Sequence, residues 1–452
     1  MNKYDLTKKI REGVYGKVYE AQKQDTKDKY AIKIIHLENK FIDKNILREI
    51  VLIKPINYKY IMNYIEIHWI RNSIYIVEPL GTCDLKDLYT KYKLDKKEKY
   101  NITYQIALAL GCLKDNGILH RDIKPRNVIY FADDKSIKLA DFGLCRISPT
   151  SEQDCLTEDM MTLWYRPPEI ILGGRYDFYS DLWSFGCLIY ELFFHKPLFN
   201  GLDEKQMMSL IYNKLGKINN WDNVTSYPRW EELKQDEKYE IKEVDFKMGS
   251  KKIDKIMKNI FIYNPELRID IYDVIKIFND KYISSDFSHE KRLTKIQKYP
   301  TCGNINDDKR NQIFKYILGL KANDNVKALT FYILDSINKY EIEYANCCYF
   351  LSSTLLITDY TPEVLKELEE FMNCQKIEME ILSKLDFNIY TSTAIDFLNL
   401  YIKDNDKDLI KDLVFKTYLD KTCFKNSPKD IVLSCIKEFY AQNLVVQSLI
   451  SK

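Results

Sequence analysis

Two short runs constrain this chain more than anything else in its 452 residues: HRDIKPRN at 120–127 and DFG at 141–143. Each follows a predicted helix or strand. Moving a phosphoryl group asks little covalent chemistry of a protein and much positioning and charge stabilisation. In such chemistry Asp122 is placed to accept the proton of a hydroxyl, and Lys124 to neutralise charge on the group in transfer. Asn127 and Asp141 are the residue types that hold magnesium there.

The features upstream arrive in a matching order. The opening, YDLTKKIREGVYGKVYEAQKQDTKDKYAIKII, alternates apolar residues broken by glycines, which predicts antiparallel strands with a tight loop between the first two. Gly13 and Gly16 leave no side chain between that loop and a nucleotide, although two glycines also suit an ordinary hairpin. Arg11 stands at the first position of a G-x-G-x-x-G pattern. AIK places Lys33 in a strand, as befits a lysine that must hold two phosphates from a rigid element. In FIDKNILREIVLIK, Ile42, Ile46, Ile50 and Ile53 recur at helical spacing with Glu49 beside the stripe. An ion pair between Lys33 and Glu49 would stiffen the lysine in its phosphate-holding pose.

With these motifs in this order, residues 1–283 resemble a eukaryotic-type protein kinase. DKNILRE, TLWYRPPE, DLWSFGCLIYEL and YPRW at 227–230 resemble signatures of the cyclin-dependent kinases. The resemblance implies a two-lobed α+β fold, ATP and magnesium as cofactors, and protein substrates. The lysine of HRDIKP and Thr162 fit a serine/threonine enzyme, and MMTLWYRPPE resembles a proline-directed segment. It also implies catalytic roles for Asp122, Lys124, Lys33 and Glu49, and nucleotide contacts from Arg11, Gly13, Gly16, Val18, Ala31, Lys33, Val77, Glu78 and Leu80. Glu169 and Arg268 match the family's buried ion pair, a structural element.

Regulation is implied by the same resemblance. Arg48, Arg121 and Arg146 match positions that converge on one phosphothreonine, and Thr157 stands in the matching place. A phosphate of about −1.5 to −2 charge opposite three guanidiniums can order a whole segment. The arginines have nearby carboxylates, Glu158 and Asp159, as alternative partners. Val14 replaces a threonine found in many relatives while Tyr15 is retained, which leaves Tyr15 as the candidate inhibitory site in this loop.

After the kinase-like region, residues 284–305 are polar and contain Ser, Pro, Gly and Asn, which reads as a linker. The segments IFKYILGL, VKALTFYILDSINKY, EYANCCYFLSSTLLIT, TPEVLKELEEFM and IEMEILSKLDFNI are helical in period and make a small all-α bundle. They carry no metal-ligand spacing, glycine loop or paired carboxylates, so a second catalytic domain is not expected. Over 306–400 this series resembles the box fold of cyclins, most closely at Glu378 followed by Ile381, Leu382, Leu385 and Phe387. Thr354 stands where that family has a matching lysine. Residues 401–452 resemble the first helices of a second, truncated cyclin lobe.

Composition narrows the partners. Apolar residues make up 46% of the chain and aromatics 13%, which excludes a disordered class and supplies packed cores. The 68 basic and 66 acidic residues nearly cancel and are interspersed, so neither nucleic acid nor a membrane surface is indicated. Eleven cysteines without a C-x-x-C pair suit reduced thiols better than zinc or disulfides. No stretch has the length of a transmembrane span and the start lacks a signal-peptide core, which points to the cytoplasm or nucleus. The expectation is a serine/threonine kinase contacting its own C-terminal cyclin-like domain. The rival is a docking scaffold in which Arg11 has cost nucleotide binding, against which intact Lys33, Asp122, Asn127 and Asp141 argue.

Overall fold

The alternation of the opening residues resolves into strands whose apolar faces share one core. The computed structural model describes residues 3–279 apart from 14–15, 37–43, 55, 71–72, 148–161, 219, 235–238 and 243, with scattered residues between 312 and 352. Two compact units are present, Met1–Asn39 with Leu52–Phe287, and Lys40–Val51 with Ser288–Lys452.

Strands β1 (Tyr4–Gly13), β2 (Gly16–Lys23) and β3 (Lys29–His36) are followed in sequence by helix α1 (Lys44–Ile53), then by β4 (Glu66–Ile70) and β5 (Ser73–Pro79). The strands form one antiparallel sheet in the order β1-β2-β3-β5-β4. Tyr4, Ala21, Ile32, Ile34 and Val77 pack as its core. Period-two alternation then turns Lys33 to the opposite face. Gly13 pairs with Gly16 to close the first hairpin. At Gly16 the backbone has φ 145°, and a Cβ would lie 2.3 Å from the carbonyl oxygen of Ile34. Glycine is required there by the close approach of β3, whatever else the loop covers.

The chain continues through β6 (Cys83–Asp84), α2 (Leu85–Lys91), α3 (Lys96–Asp115), β7 (Ile118–Leu119), β8 (Val128–Phe131), β9 (Ser136–Leu139) and β10 (Arg146–Ile147). Helices α4 (Pro168–Ile171), α5 (Phe178–Phe194), α6 (Glu204–Leu215), α7 (Trp230–Leu233), α8 (Lys251–Ile260) and α9 (Ile271–Phe278) follow. Local sequence sets the starts: Asp95 caps α3 reciprocally with Glu98, and Asp177 does the same for α5 with Ser180. Helix α5 is buried along most of its length, with Trp183 stacked on Phe199 at 6.0 Å and edge-on to Phe261 at 4.9 Å. A Cβ on Gly186 would meet Ile260 Cγ2 at 2.7 Å, which explains a glycine inside that helix.

The second unit is helical wherever it is described. In α1 the expected stripe is buried at Ile46, Ile50 and Ile53, together with Glu49, while Ile42 lies outside the described residues. Val326, Leu329, Thr330, Ile333 and Leu334 are buried at steps of three and four, as are Ala345, Cys348, Tyr349 and Ser352. The hydroxyls of Thr330 and Ser352 donate to the carbonyls of Val326 and Cys348, one turn back, at 2.7 and 2.8 Å. Two of the five predicted helical segments include these residues, a third, IFKYILGL, includes the buried Ile317, and the other two segments lie outside the described residues, as do Thr354, Glu378, Ile381, Leu382, Leu385 and Phe387.

Among the described residues no helix is long and apolar enough to cross a membrane. Among the described cysteines, Cys112, Cys145, Cys187 and Cys348 are buried and Cys83 is half-buried.

One interaction ties together three parts of the helical lobe. Arg268 donates Nη1 and Nη2 to Glu169 Oε1 and Oε2 at 2.7 and 2.6 Å, with both side chains at or below 1% exposure. Its remaining donors reach the carbonyls of Ile262, Tyr179 and Tyr263, so the pair is satisfied on every side. Removing one partner strands a buried charge, and Arg268→Met is expected to destabilise the kinase-like lobe by about 3–5 kcal/mol in chemical denaturation. A loss below about 1 kcal/mol would show that the pair is dispensable.

Candidate active site

The segment from His120 to Asn127 leaves β7 and is held from below by α5. Asp181, in the first turn of that helix, accepts the backbone amides of His120 at 2.8 Å and Arg121 at 2.9 Å, and the Tyr176 hydroxyl at 2.6 Å. Arg121 takes φ 69°, a left-handed conformation that costs a non-glycine residue about 1–3 kcal/mol unless its surroundings impose it. The two amide bonds to Asp181 impose it. The next side chain, Asp122, is thereby set among Asn127, Lys124 and Thr162.

Asp122 is then fixed by three donors. Asn127 Nδ2 donates to its Oδ2 at 2.8 Å, the Thr162 hydroxyl donates to its Oδ1 at 2.9 Å, and Lys124 Nζ lies 2.6 Å from Oδ2. Lys124 also donates to Thr162 Oγ1 at 2.9 Å, closing a three-membered network. An ionised carboxylate has roughly four lone-pair positions, so about one remains for an incoming hydroxyl. Burial pushes the His120 imidazole pKa down, against the carboxylates of Asp181, Asp122 and Asp141. The ring Nε2 meets the Ala140 carbonyl at 3.2 Å and Nδ1 accepts the Asp122 amide at 3.2 Å, making His120 a neutral strut.

Asp141 begins DFG at φ 64°, a second left-handed residue in the same site. Its Oδ1 lies 3.7 Å from Lys33 Nζ and its Oδ2 lies 3.9 Å from Arg11 Nη2. Burial raises its pKa, but the cations Lys33, Arg11 and Lys124 outweigh that and hold the carboxyl below its ordinary value. Asp141 therefore stays ionised throughout the neutral range. Beside it, Asn127 Oδ1 is buried with no hydrogen-bond partner. An orphaned acceptor of this kind costs about 1–3 kcal/mol, and a hard cation held between it and the Asp141 carboxylate would relieve that cost. The donor set fits magnesium, which takes one or two carboxylate ligands and leaves other positions to water and phosphate.

The residues expected to contact nucleotide include several that lie along the sheet in register. Arg11 is opposite Val18, Val18 opposite Lys33, Ala31 opposite Glu78 and Ile32 opposite Val77. Val77 is fully buried, Lys33 is 8% exposed, and Leu80 is half-buried just past β5. Arg121 and Arg146 are both buried, and burial together with the neighbouring Arg146 guanidinium brings Arg121 down to about 10. Val14, Tyr15, Thr157, Glu158 and Asp159 lie outside the described residues, as does the side chain of Arg48.

Three residues of the site went unassigned in the sequence reading: Asp181, Tyr176 and His120. Asp181 stands in DLWSFGCLIYEL, but its motif signals a helix, and nothing local reveals that its carboxylate anchors a loop 60 residues earlier. Thr162 was singled out for substrate class, and its link to Asp122 and Lys124 adds a role in the network.

The family described as "Protein kinase domain" matches residues 4–283. The chain is 32% identical over 290 residues to cyclin-dependent kinase C-3 of Oryza sativa subsp. japonica, covering 59% of this chain and 88% of that protein. It is 36% identical over 238 residues to CTD kinase subunit alpha of Schizosaccharomyces pombe, a match covering 51% of this chain. That match spans 40% of the length of the Schizosaccharomyces pombe protein. A catalytic-loop carboxylate in a network with lysine and threonine, a second carboxylate opposite a strand lysine, and a family match over the whole lobe agree. The chain belongs to the protein kinase family, among the serine/threonine kinases of cyclin-dependent type.

Proposed function

We propose that this chain transfers the γ-phosphoryl group of ATP to serine or threonine hydroxyls of protein substrates, preferentially those followed by proline. The observation that carries the reading is the Asp122 carboxylate, oriented by Asn127, Lys124 and Thr162 with about one lone-pair position left. Asp122 accepts the hydroxyl proton, and Lys124, 2.6 Å away, neutralises charge that develops on the group in transfer. Lys33 holds the phosphates from the central strand, with Gly13 and Gly16 covering them and Val18, Ala31, Val77, Glu78 and Leu80 framing the base and sugar. Asn127 and Asp141 would hold magnesium, which when bound would supply positive charge to offset that of the phosphates. The names of the relatives, a CTD kinase subunit and a cyclin-dependent kinase, support a protein substrate and a cyclin-like activator.

Activation rests on α1. Residues 306–400, read as a cyclin box, hold that helix so that Glu49 pairs with Lys33. The grouping of Lys40–Val51 with Ser288–Lys452 in one compact unit supports this. Phosphorylation of Thr157 completes the switch, drawing on Arg48, Arg121 and Arg146. The pair of buried guanidiniums at Arg121 and Arg146 supports an anion at that point, because each raises the cost of charging the other.

The purified full-length chain is expected to phosphorylate Ser-Pro and Thr-Pro peptides in a magnesium-dependent way, and Ala-for-Pro peptides more slowly. Asp141→Asn should fold normally, by circular dichroism, and retain less than about a tenth of that rate. A folded variant above that level removes Asp141 from the metal site, and a wild-type chain inert toward every peptide favours the docking scaffold.

Thr157→Ala is expected to lower the rate severalfold once mass spectrometry shows wild-type Thr157 to be phosphorylated. An unchanged rate would leave the arginines without that partner.

For activation in cis, residues 1–290 alone should be weakly active, and adding residues 300–452 as a second polypeptide should restore the rate. The full-length chain needs no added cyclin on this view. An isolated kinase piece as active as the whole would assign the C-terminal region another task.

A further inference from the structure

Arg11 sits where the phosphate-loop pattern has glycine, and the sheet register shows where its charge goes. Between Lys9 and Arg11 the pairing of β1 with β2 slips by one residue, so that Lys9 faces Tyr19 and Arg11 faces Val18. Such a bulge sends the following side chain to the other face of the sheet. Val18 in turn faces Lys33, so Arg11, Val18 and Lys33 form one cross-strand row on the same face. Both cations of that row reach Asp141, one to each carboxylate oxygen, Lys33 to Oδ1 at 3.7 Å and Arg11 to Oδ2 at 3.9 Å. Arg11 Nη1 also donates to the Arg126 carbonyl at 3.2 Å, in the peptide unit that leads into Asn127. The guanidinium thus bridges the two stretches that carry the candidate metal ligands. Its acidic neighbour is engaged elsewhere: Glu12 pairs with Lys9 at 2.9 Å and Lys17 at 3.5 Å.

The geometry points to Arg11 as an intrinsic counter-ion at the metal site, one that partly replaces magnesium when nucleotide binds without it and opposes magnesium when both are present. The inference rests on the nucleotide and magnesium reading proposed above, and deepens it. A guanidinium near Asp141 and the phosphate cover supplies positive charge to a metal-free nucleotide. The same fixed charge repels a divalent cation arriving at Asp141 and Asn127. Arg11 therefore weakens the coupling between magnesium and nucleotide, the factor by which saturating magnesium tightens nucleotide binding.

The test measures that factor by titrating the full-length chain with ADP by calorimetry, once in saturating magnesium and once in excess chelator. Arg11→Gln keeps a polar side chain of similar length without the charge, and Arg11→Lys keeps the charge without the fork. In Arg11→Gln the metal-free affinity should fall and the ratio of the two dissociation constants should rise by at least about threefold over wild type, near the low end of typical coupling changes. Arg11→Lys should fall between the two. A smaller rise in Arg11→Gln, with thermal denaturation showing the fold intact, would overturn the role of Arg11 while leaving the kinase reading in place. Failure of the wild type to bind ADP under either condition would overturn both.

Discussion

The buried Asp181 carboxylate is the constraint on which the catalytic geometry depends. It holds two successive backbone amides and a tyrosine hydroxyl among buried residues, where such donors must find partners within the protein. Because the amides belong to His120 and Arg121, the bond fixes the backbone at the residue before Asp122. The left-handed turn at Arg121 is affordable only there, and without it Asp122 would point elsewhere. The helix that supplies Asp181 is itself held by Glu169 and Arg268, since Ser180 donates to Glu169 Oε1 at 3.0 Å. A chain of buried, fully matched polar contacts thus runs from the foot of the helical lobe to the reacting carboxylate.

Three cations line the carboxylates of the cleft: Lys124 lies beside Asp122, and Lys33 and Arg11 lie beside Asp141. Low-dielectric walls would focus the field of such groups on an anionic ligand. The third cation comes from a position where the family's loop pattern has no side chain at all. On the inference drawn for Arg11, this chain would divide the work of neutralising phosphate between protein and metal differently from a chain with glycine at that position.

Legibility in the sequence followed the range of the interactions. Strand alternation and the stripe of Ile46, Ile50 and Ile53 were readable because they depend on neighbours a few residues apart. The contacts among Asp122, Lys124 and Asn127 were readable because their spacing is set by one loop. Asp181 was not, since its partner loop is fixed only when α5 packs beneath it. Nor was the destination of the Arg11 side chain, because a one-residue slip in register decides the face and no local signal at Ile10 announces it. Gly16 carries a second message that the phosphate reading did not contain, the 2.3 Å approach to β3.

On the proposed reading, in which the C-terminal region activates the kinase in cis, helix α1 is where a partner in the same chain would change the energetics. Its residues 44–51 belong to a compact unit that also takes in residues from Ser288 onward, so the chain between them closes a loop. Closing a loop of that length costs entropy that grows only with the logarithm of its length. A separate activator must instead give up translational freedom and be present at sufficient concentration. Tethering replaces that concentration by an effective one of about a millimolar, independent of expression. The population of an α1 position that carries Glu49 inward then depends on the differential strength of the packing alone. Control of such an enzyme shifts away from the supply of an activator and toward groups that alter the equilibrium from within, of which Thr157 and Tyr15 are the candidates.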